Sequence, residues 1–145
     1  VIVYESVWKH TQMMAEALAE GMGRNGICVK IFKCSMTSPA IIQKELLDAK
    51  AILVGSGNYN NAMSGSIAAF LEKLISCKVK NKKGLGFGSY GWANLVTKEI
   101  NARLVKAGIT LLNDEVVSQN YTPSEEDLDA LMELGKQIAE EIKAM

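Results

Sequence analysis

The chain has a single histidine, His10, among its 145 residues, so a multi-histidine metal site within it is excluded. Its three cysteines, Cys28, Cys34 and Cys77, have no metal-type spacing, and an odd, scattered set is no disulfide framework. They read as small core or half-buried residues, and such usage fits a reducing cytoplasm. No apolar run reaches the roughly 18–20 residues of a membrane span, so a membrane role is not expected. A net charge is missing too: 16 Lys and Arg offset 16 Asp and Glu. There is no low-complexity tract, repeat or linker, which argues against disorder. Val1 already belongs to a strand-like run, without a signal-peptide n-region or an initiator Met. The expectation is a fragment of a longer chain, or a trimmed one.

The balanced charge is unevenly placed. Between Glu72 and Lys106 eight Lys/Arg face two Glu, and from Asp114 onward nine Asp/Glu face two Lys. The basic excess peaks at Lys78-Val79-Lys80-Asn81-Lys82-Lys83. Nucleic-acid binding favours basic residues interleaved with aromatics, and this stretch has none, so no nucleic-acid partner is expected. A solvated loop and a docking surface for another domain are the two readings of it.

With 48% apolar residues the chain can bury the core of one domain, residues 1–145. Val1 to Tyr4 is a continuous apolar run, as expected of a strand buried on both faces. A helix should follow from Gln12 to about Arg24, capped by Thr11, with Met14, Ala17, Leu18, Gly21 and Met22 on its apolar face. Asn25 or Gly26 is suited to a left-handed terminus. A second strand is predicted over Ile27–Phe32. A helix opens at Ser38-Pro39, with Ile41, Ile42, Leu46 and Leu47 apolar. The third strand is Ala51–Val54, and the third helix is Ser66–Ser76. The fourth strand, Gly84–Phe87, carries glycines that suggest close approach of backbone or ligand. The fourth helix runs over Ala93–Lys106, to Gly108. The fifth strand combines Ile109–Leu112 with Val116-Val117, with a break at Asn113-Asp114. A last helix starts at Thr122–Asp127, with a cap and an acidic first turn, and runs to about Lys143. Five strands alternating with five helices predict an α/β, three-layer, doubly wound parallel sheet; in a sheet of order 2-1-3-4-5 its first, third and fourth strands are neighbours.

Ligands of such sheets bind at the carboxyl ends of strands, where strand order reverses. Three loops meet there: Glu5–Thr11, Gly55–Asn61 and Gly88–Trp92. The first combines hydroxyls with a helix N-terminus, which suits phosphate. A G-x-G-x-x-G is absent after the first strand, which argues against a dinucleotide held in the Rossmann manner. Ser6 and Thr11 suit a single terminal phosphomonoester instead. Lys9 could add charge or be solvated. The other two loops bring Asn58, Asn60, Asn61 and the rings of Tyr59, Tyr90 and Trp92. The amides can contact a ring edge or satisfy turns. Trp92 has three readings: ring stacking, a partner contact, or packing. Trp8 has the alternative of covering its loop from outside. Phosphate donors at one end and flat walls at the other point to a phosphorylated planar cofactor.

These loops give the chain its resemblance to a family. Tyr4-Glu5-Ser6-Val7-Trp8 with Thr11, Val54-Gly55-Ser56 with Asn60-Asn61, Ala68-Ala69-Phe70-Leu71 and Phe87-Gly88-Ser89-Tyr90-Gly91-Trp92 resemble the C-terminal flavodoxin-like domain of the flavodiiron proteins. The likeness spans essentially the whole chain. Departures are Glu5 for the usual Asp, Lys9-His10 for small residues, Gly57-Asn58 for Pro-Thr and Asn94-Leu95 for Gly-Gly. The resemblance implies FMN as cofactor. It is held by Ser6, Val7, Trp8, Lys9, His10 and Thr11, by Asn58, Tyr59, Asn60 and Asn61, and by Ser89, Tyr90, Gly91 and Trp92. No residue has a catalytic or metal-ligating role. It further implies a cytoplasmic electron-transport domain that relays electrons from rubredoxin or a flavin reductase to a diiron centre reducing oxygen or nitric oxide. That centre lies in a metallo-β-lactamase-like domain of the same chain or of a partner subunit in a homo-oligomer. Two alternatives stand beside this. One is a free-standing flavodoxin shuttle, against which the lack of net negative charge speaks. The other is a flavodoxin-like interaction module without cofactor.

Overall fold

Central strands buried on both faces, with helices between them, set the architecture. A computed structural model describes residues 1–90, 95–113 and 116–145. The elements in order are β1 (Ile2–Glu5), α1 (His10–Arg24), β2 (Ile31–Lys33), a 3-10 turn (Cys34–Met36), α2 (Pro39–Asp48), β3 (Ala51–Ser56), α3 (Gly65–Cys77), β4 (Lys83–Tyr90), α4 (Val96–Lys106), β5 (Thr110–Leu111), β6 (Val117–Asn120) and α5 (Glu125–Lys143). All strand pairs are parallel, in the order β2-β1-β3-β4-β5, with β6 also pairing β4. Ile2, Tyr4, Leu53, Leu85 and Phe87 face α1 and α5 in one buried cluster. Val3, Ile52 and Val54 face α2, α3 and α4 in the other. The predicted three-layer fold and strand order are those observed.

Several boundaries differ from expectation. β2 is shorter than Ile27–Phe32, because Ile31 already lies opposite Ile2 and the residues before it precede the first paired residue of β1. Only Ile42 and Leu46 of the expected α2 face are buried, while Ile41 and Leu47 are exposed. Cys28 and Cys77 are exposed rather than half-buried; Cys34 is the partly buried one. Part of the basic stretch is engaged: Lys82 Nζ donates to Leu47 and Ala49 carbonyls, and Lys83 pairs with Glu141. The start expected for the fourth helix, Ala93, lies outside the described residues. Among the described residues no helix is long and apolar enough to cross a membrane.

The fifth strand is broken as the sequence suggested, and the break is filled. β5 pairs with Lys83 and Gly84, and β6 begins pairing only at Phe87. In the gap, the Gly86 N–H donates to Asn101 Oδ1 of α4 at 2.8 Å. The glycines of β4 serve this packing. A Cβ on Gly86 would stand 2.8 Å from Asn101 Oδ1 and Ile100 Cγ2, and one on Gly88 would stand 2.2 Å from the Ser56 carbonyl. Of the two readings offered by the sequence, these glycines fit close approach of protein groups.

Candidate functional site

At the carboxyl end of β1 the backbone turns sharply. Lys9 occupies the N-cap position of α1 with φ of 67°, and no side chain caps the helix. The first helical bond runs from Met13 N–H to the Lys9 carbonyl at 2.9 Å, so the earlier first-turn N–H groups lie outside the ladder. No acidic residue stands in that turn. The expected capping role of Thr11 is therefore corrected. Thr11 is the second residue of the helix, 1% exposed, and its Oγ1 lies 3.0 Å from Ser89 Oγ near the end of β4. One part-buried hydroxyl pair thus joins two of the loops that the sequence singled out.

The remaining loop, the second, is held from within. Ser56 Oγ–H donates to the Gly57 carbonyl at 2.8 Å, and the Ser64 N–H donates to Ser56 Oγ at 3.0 Å. Tyr59 and Ala62 exchange backbone hydrogen bonds across Asn60 and Asn61, whose φ values are 53° and 63°. That is the geometry of a tight hairpin turn with both central residues left-handed, for which asparagine is suited. Tyr59 leans back over Gly57, and its hydroxyl shares a hydrogen bond with the backbone of Val7. Burial raises the Tyr59 phenol above its ordinary pKa, the Glu5 carboxylate adds to this, and the bond with Val7 opposes it.

Glu5 ties the same end together. Its Oε1 accepts from the Ser6 N–H at 3.2 Å, and its Oε2 from the Ser35 N–H at 2.8 Å and from Ser66 Oγ–H at 3.1 Å. Burial alone would raise its pKa, but the bonds from Ser35, Ser6 and Ser66 outweigh burial and hold it below the ordinary carboxylate value.

A cleft of about 280 Å³ opens between these loops. From the first loop it is lined by Ser6, Val7, Trp8, His10 and Thr11. Asn58 and Tyr59 line it from the second, and Ser89 and Tyr90 from the third. Trp8 is 79% exposed at the rim. Lys9, Asn60 and Asn61 do not line it; they serve the turns just described. Gly91 and Trp92 lie outside the described residues. Two lining residues were missed by the sequence reading, Gly57 and Tyr121. Tyr121 follows β6, in a loop whose only sequence signal was the coming helix cap. His10, unexplained by sequence, has its Nε2 2.9 Å from Thr122 Oγ1 in that same loop.

Three other grooves are larger, about 600, 410 and 390 Å³, yet no described hydroxyl-bearing residue lines any of them. The 280 Å³ cleft is at the small end of ligand pockets, which run to roughly 300–1,000 Å³. It offers buried hydroxyls, a helix start free of acidic residues, and aromatic side chains. That donor set fits a phosphate with a planar group attached.

A parallel sheet of this order, with such a cleft at its switch point, defines a doubly wound domain that binds a phosphorylated cofactor. The family model named Flavodoxin matches residues 2–135, and the chain belongs to the flavodoxin family, whose domains bind FMN. It is 39% identical, over 98% of its length, to a nitric oxide reductase of Moorella thermoacetica, of which it covers 36%. The solved rubredoxin oxygen:oxidoreductase of Desulfovibrio gigas superposes with a TM-score of 0.92 at 31% identity, over 99% of this chain and 35% of that one. A flavodoxin from the domain Archaea superposes with a TM-score of 0.88 at 30% identity, over 98% of this chain and 96% of that one. The chain is thus a flavodoxin-like domain related both to flavodiiron proteins and to free flavodoxins. It spans about 36% of the length of the nitric oxide reductase it matches.

Proposed function

We propose that residues 1–145 are the C-terminal, FMN-binding electron-relay domain of a longer flavodiiron oxidoreductase. Electrons arrive from rubredoxin or a flavin reductase and pass to a diiron centre that reduces oxygen or nitric oxide. The diiron centre belongs to a metallo-β-lactamase-like domain of the same chain or of the partner subunit in a homo-oligomer, in the cytoplasm. The observation that carries the cofactor reading is the Thr11–Ser89 hydroxyl pair, with Thr11 buried, beside the start of α1. The identity to the nitric oxide reductase favours the relay role.

FMN supplies the electron-transfer chemistry when bound. The chain's own residues bind and orient it. Ser6, Thr11 and the first-turn N–H groups of α1 hold the phosphate, and Ser89 fixes the Thr11 hydroxyl. Tyr59, Tyr90 and Trp8 wall the planar end. The Glu5 bonds keep the first loop in register with α3. No side chain has to act as nucleophile or general acid.

Purified protein should be yellow, absorb near about 450 nm as flavins do, and be reduced by chemically reduced rubredoxin. A colourless protein that FMN does not reconstitute would sink the proposal. The archaeal flavodoxin, covered over 96% of its length, favours a second reading as a free-standing shuttle. An upstream reading frame encoding a domain rich in histidine and carboxylate selects the relay; a natural gene that begins near Val1 selects the shuttle.

A further inference from the structure

Tyr121 is the aromatic residue least expected in its backbone conformation. Its φ is 57°, in the left-handed region that bulky side chains rarely adopt. Its side chain is not buried in compensation, since the residue is 56% exposed. The conformation is held by neighbours on both sides. The Tyr121 N–H donates to the Tyr90 carbonyl at 2.8 Å, continuing the β4–β6 ladder by one residue. Thr122 Oγ1 then lies 2.9 Å from His10 Nε2 at the start of α1. Both Tyr121 and His10 line the cleft that contains Ser6, Thr11 and Ser89. A strained, exposed aromatic held by a strand end and turned to a ligand cleft has a functional rather than a packing signature.

We infer that the loop between β6 and α5 is a fourth wall of the cofactor site, in which Tyr121 and His10 close over the phosphate end of FMN and Thr122 positions His10. This rests on the FMN reading above. The phosphate end follows from place. Tyr121 is anchored to Tyr90, the residue after Ser89, whose hydroxyl meets Thr11. His10 is the first residue of α1, the helix whose earliest N–H groups lie outside the hydrogen-bond ladder.

The test compares the affinities of FMN and riboflavin, by quenching of flavin fluorescence, with the thermal midpoint of the apoprotein. Tyr121→Gly removes the ring and accepts the positive φ without a Cβ penalty. FMN affinity should fall about tenfold, the scale of one lost aromatic contact. The apoprotein midpoint should be unchanged or raised, which loss of a packing residue would not produce. Tyr121→Asn, which also tolerates this conformation, serves if the glycine variant does not fold. Riboflavin affinity should change by less than about twofold, because riboflavin lacks the phosphate. Thr122→Val should weaken FMN binding as well, and Thr122→Ser should restore it. FMN affinity within about twofold of wild type in the Tyr121 variants would overturn the inference and leave Tyr121 as a partner contact. Equal losses for riboflavin would overturn the assignment to the phosphate end. Wild-type protein that binds neither flavin would instead sink the FMN reading itself.

Discussion

Helices α1 and α5 begin side by side, joined by the hydrogen bond between His10 and Thr122. α5 closes its own N-terminus: Ser124 Oγ accepts from the Asp127 N–H at 3.1 Å, and Asp127 Oδ2 accepts from the Ser124 N–H at 2.8 Å. Its first turn also carries Glu125, Glu126 and Asp127. α1 has no side-chain cap, no acidic first turn, and a left-handed Lys9 at its N-cap. α3 also has no side-chain cap, but Ser66 in its first turn donates its hydroxyl to the Glu5 carboxylate of β1, which places a negative charge beside that helix start. A helix start compensated by its own side chains has no capacity left for a ligand anion. One left open beside buried hydroxyls keeps its N–H groups and its dipole for phosphate.

The comparison breaks most visibly if α1 is made to resemble α5. His10→Glu puts a carboxylate where the phosphate charge should sit. FMN affinity should fall roughly a hundredfold, while the apoprotein should hold or gain up to about 1 kcal/mol from the helix dipole. Titration with FMN and thermal unfolding of the apoprotein read the two arms; an affinity within about threefold of wild type would end the phosphate assignment. Opening α5 is the converse. Ser124→Ala should cost about 1 kcal/mol, or roughly 2–4 °C in midpoint, without moving FMN affinity. A loss of FMN equal to that in His10→Glu would mean the two helix starts do not differ in role.

The smallest effect near neutral pH concerns α3 and Glu5. The folded pKa of Glu5 is depressed, because its three hydrogen bonds outweigh burial. Its stabilising contribution is therefore complete above the unfolded glutamate value of about 4.3 and lost as pH falls through the lower, folded value. Urea midpoints measured from neutral to acid pH should show wild type losing its advantage over Glu5→Gln only on that acid limb. A difference between the two that ignores pH would show that shape, not charge, holds this corner.

Much of this was legible along the chain. Continuous apolar runs marked β1 and β3 because both faces of a central parallel strand are covered. The Asn113-Asp114 interruption marked the break between β5 and β6, and Ser124 with Asp127 marked the last helix. Ser6, Thr11, Tyr59 and Ser89 were found because hydroxyls and aromatics in turn-rich loops after strands are unusual. Thr11 lines the cleft, but its expected capping role was wrong: a threonine before a periodic helix reads as a cap, and only the turn at Lys9 shifts it inside. Asn60 and Asn61 read equally well as ligand amides or turn residues, and the Tyr59–Ala62 pairing shows the turn.

A helix start suited to an anion was legible from residue order, because a strand, a hydroxyl loop and an amphipathic helix are local features. The partners of that helix start were not. Ser89 stands 78 positions from Thr11, and Thr122 stands 112 from His10. Side chains that far apart in sequence meet only when β4 and β6 pair and bring their ends to the same edge as α1. Local pattern therefore determined the elements and the chemistry of the first loop. Packing of the sheet decided which hydroxyls face each other, and that Tyr121 joins the site.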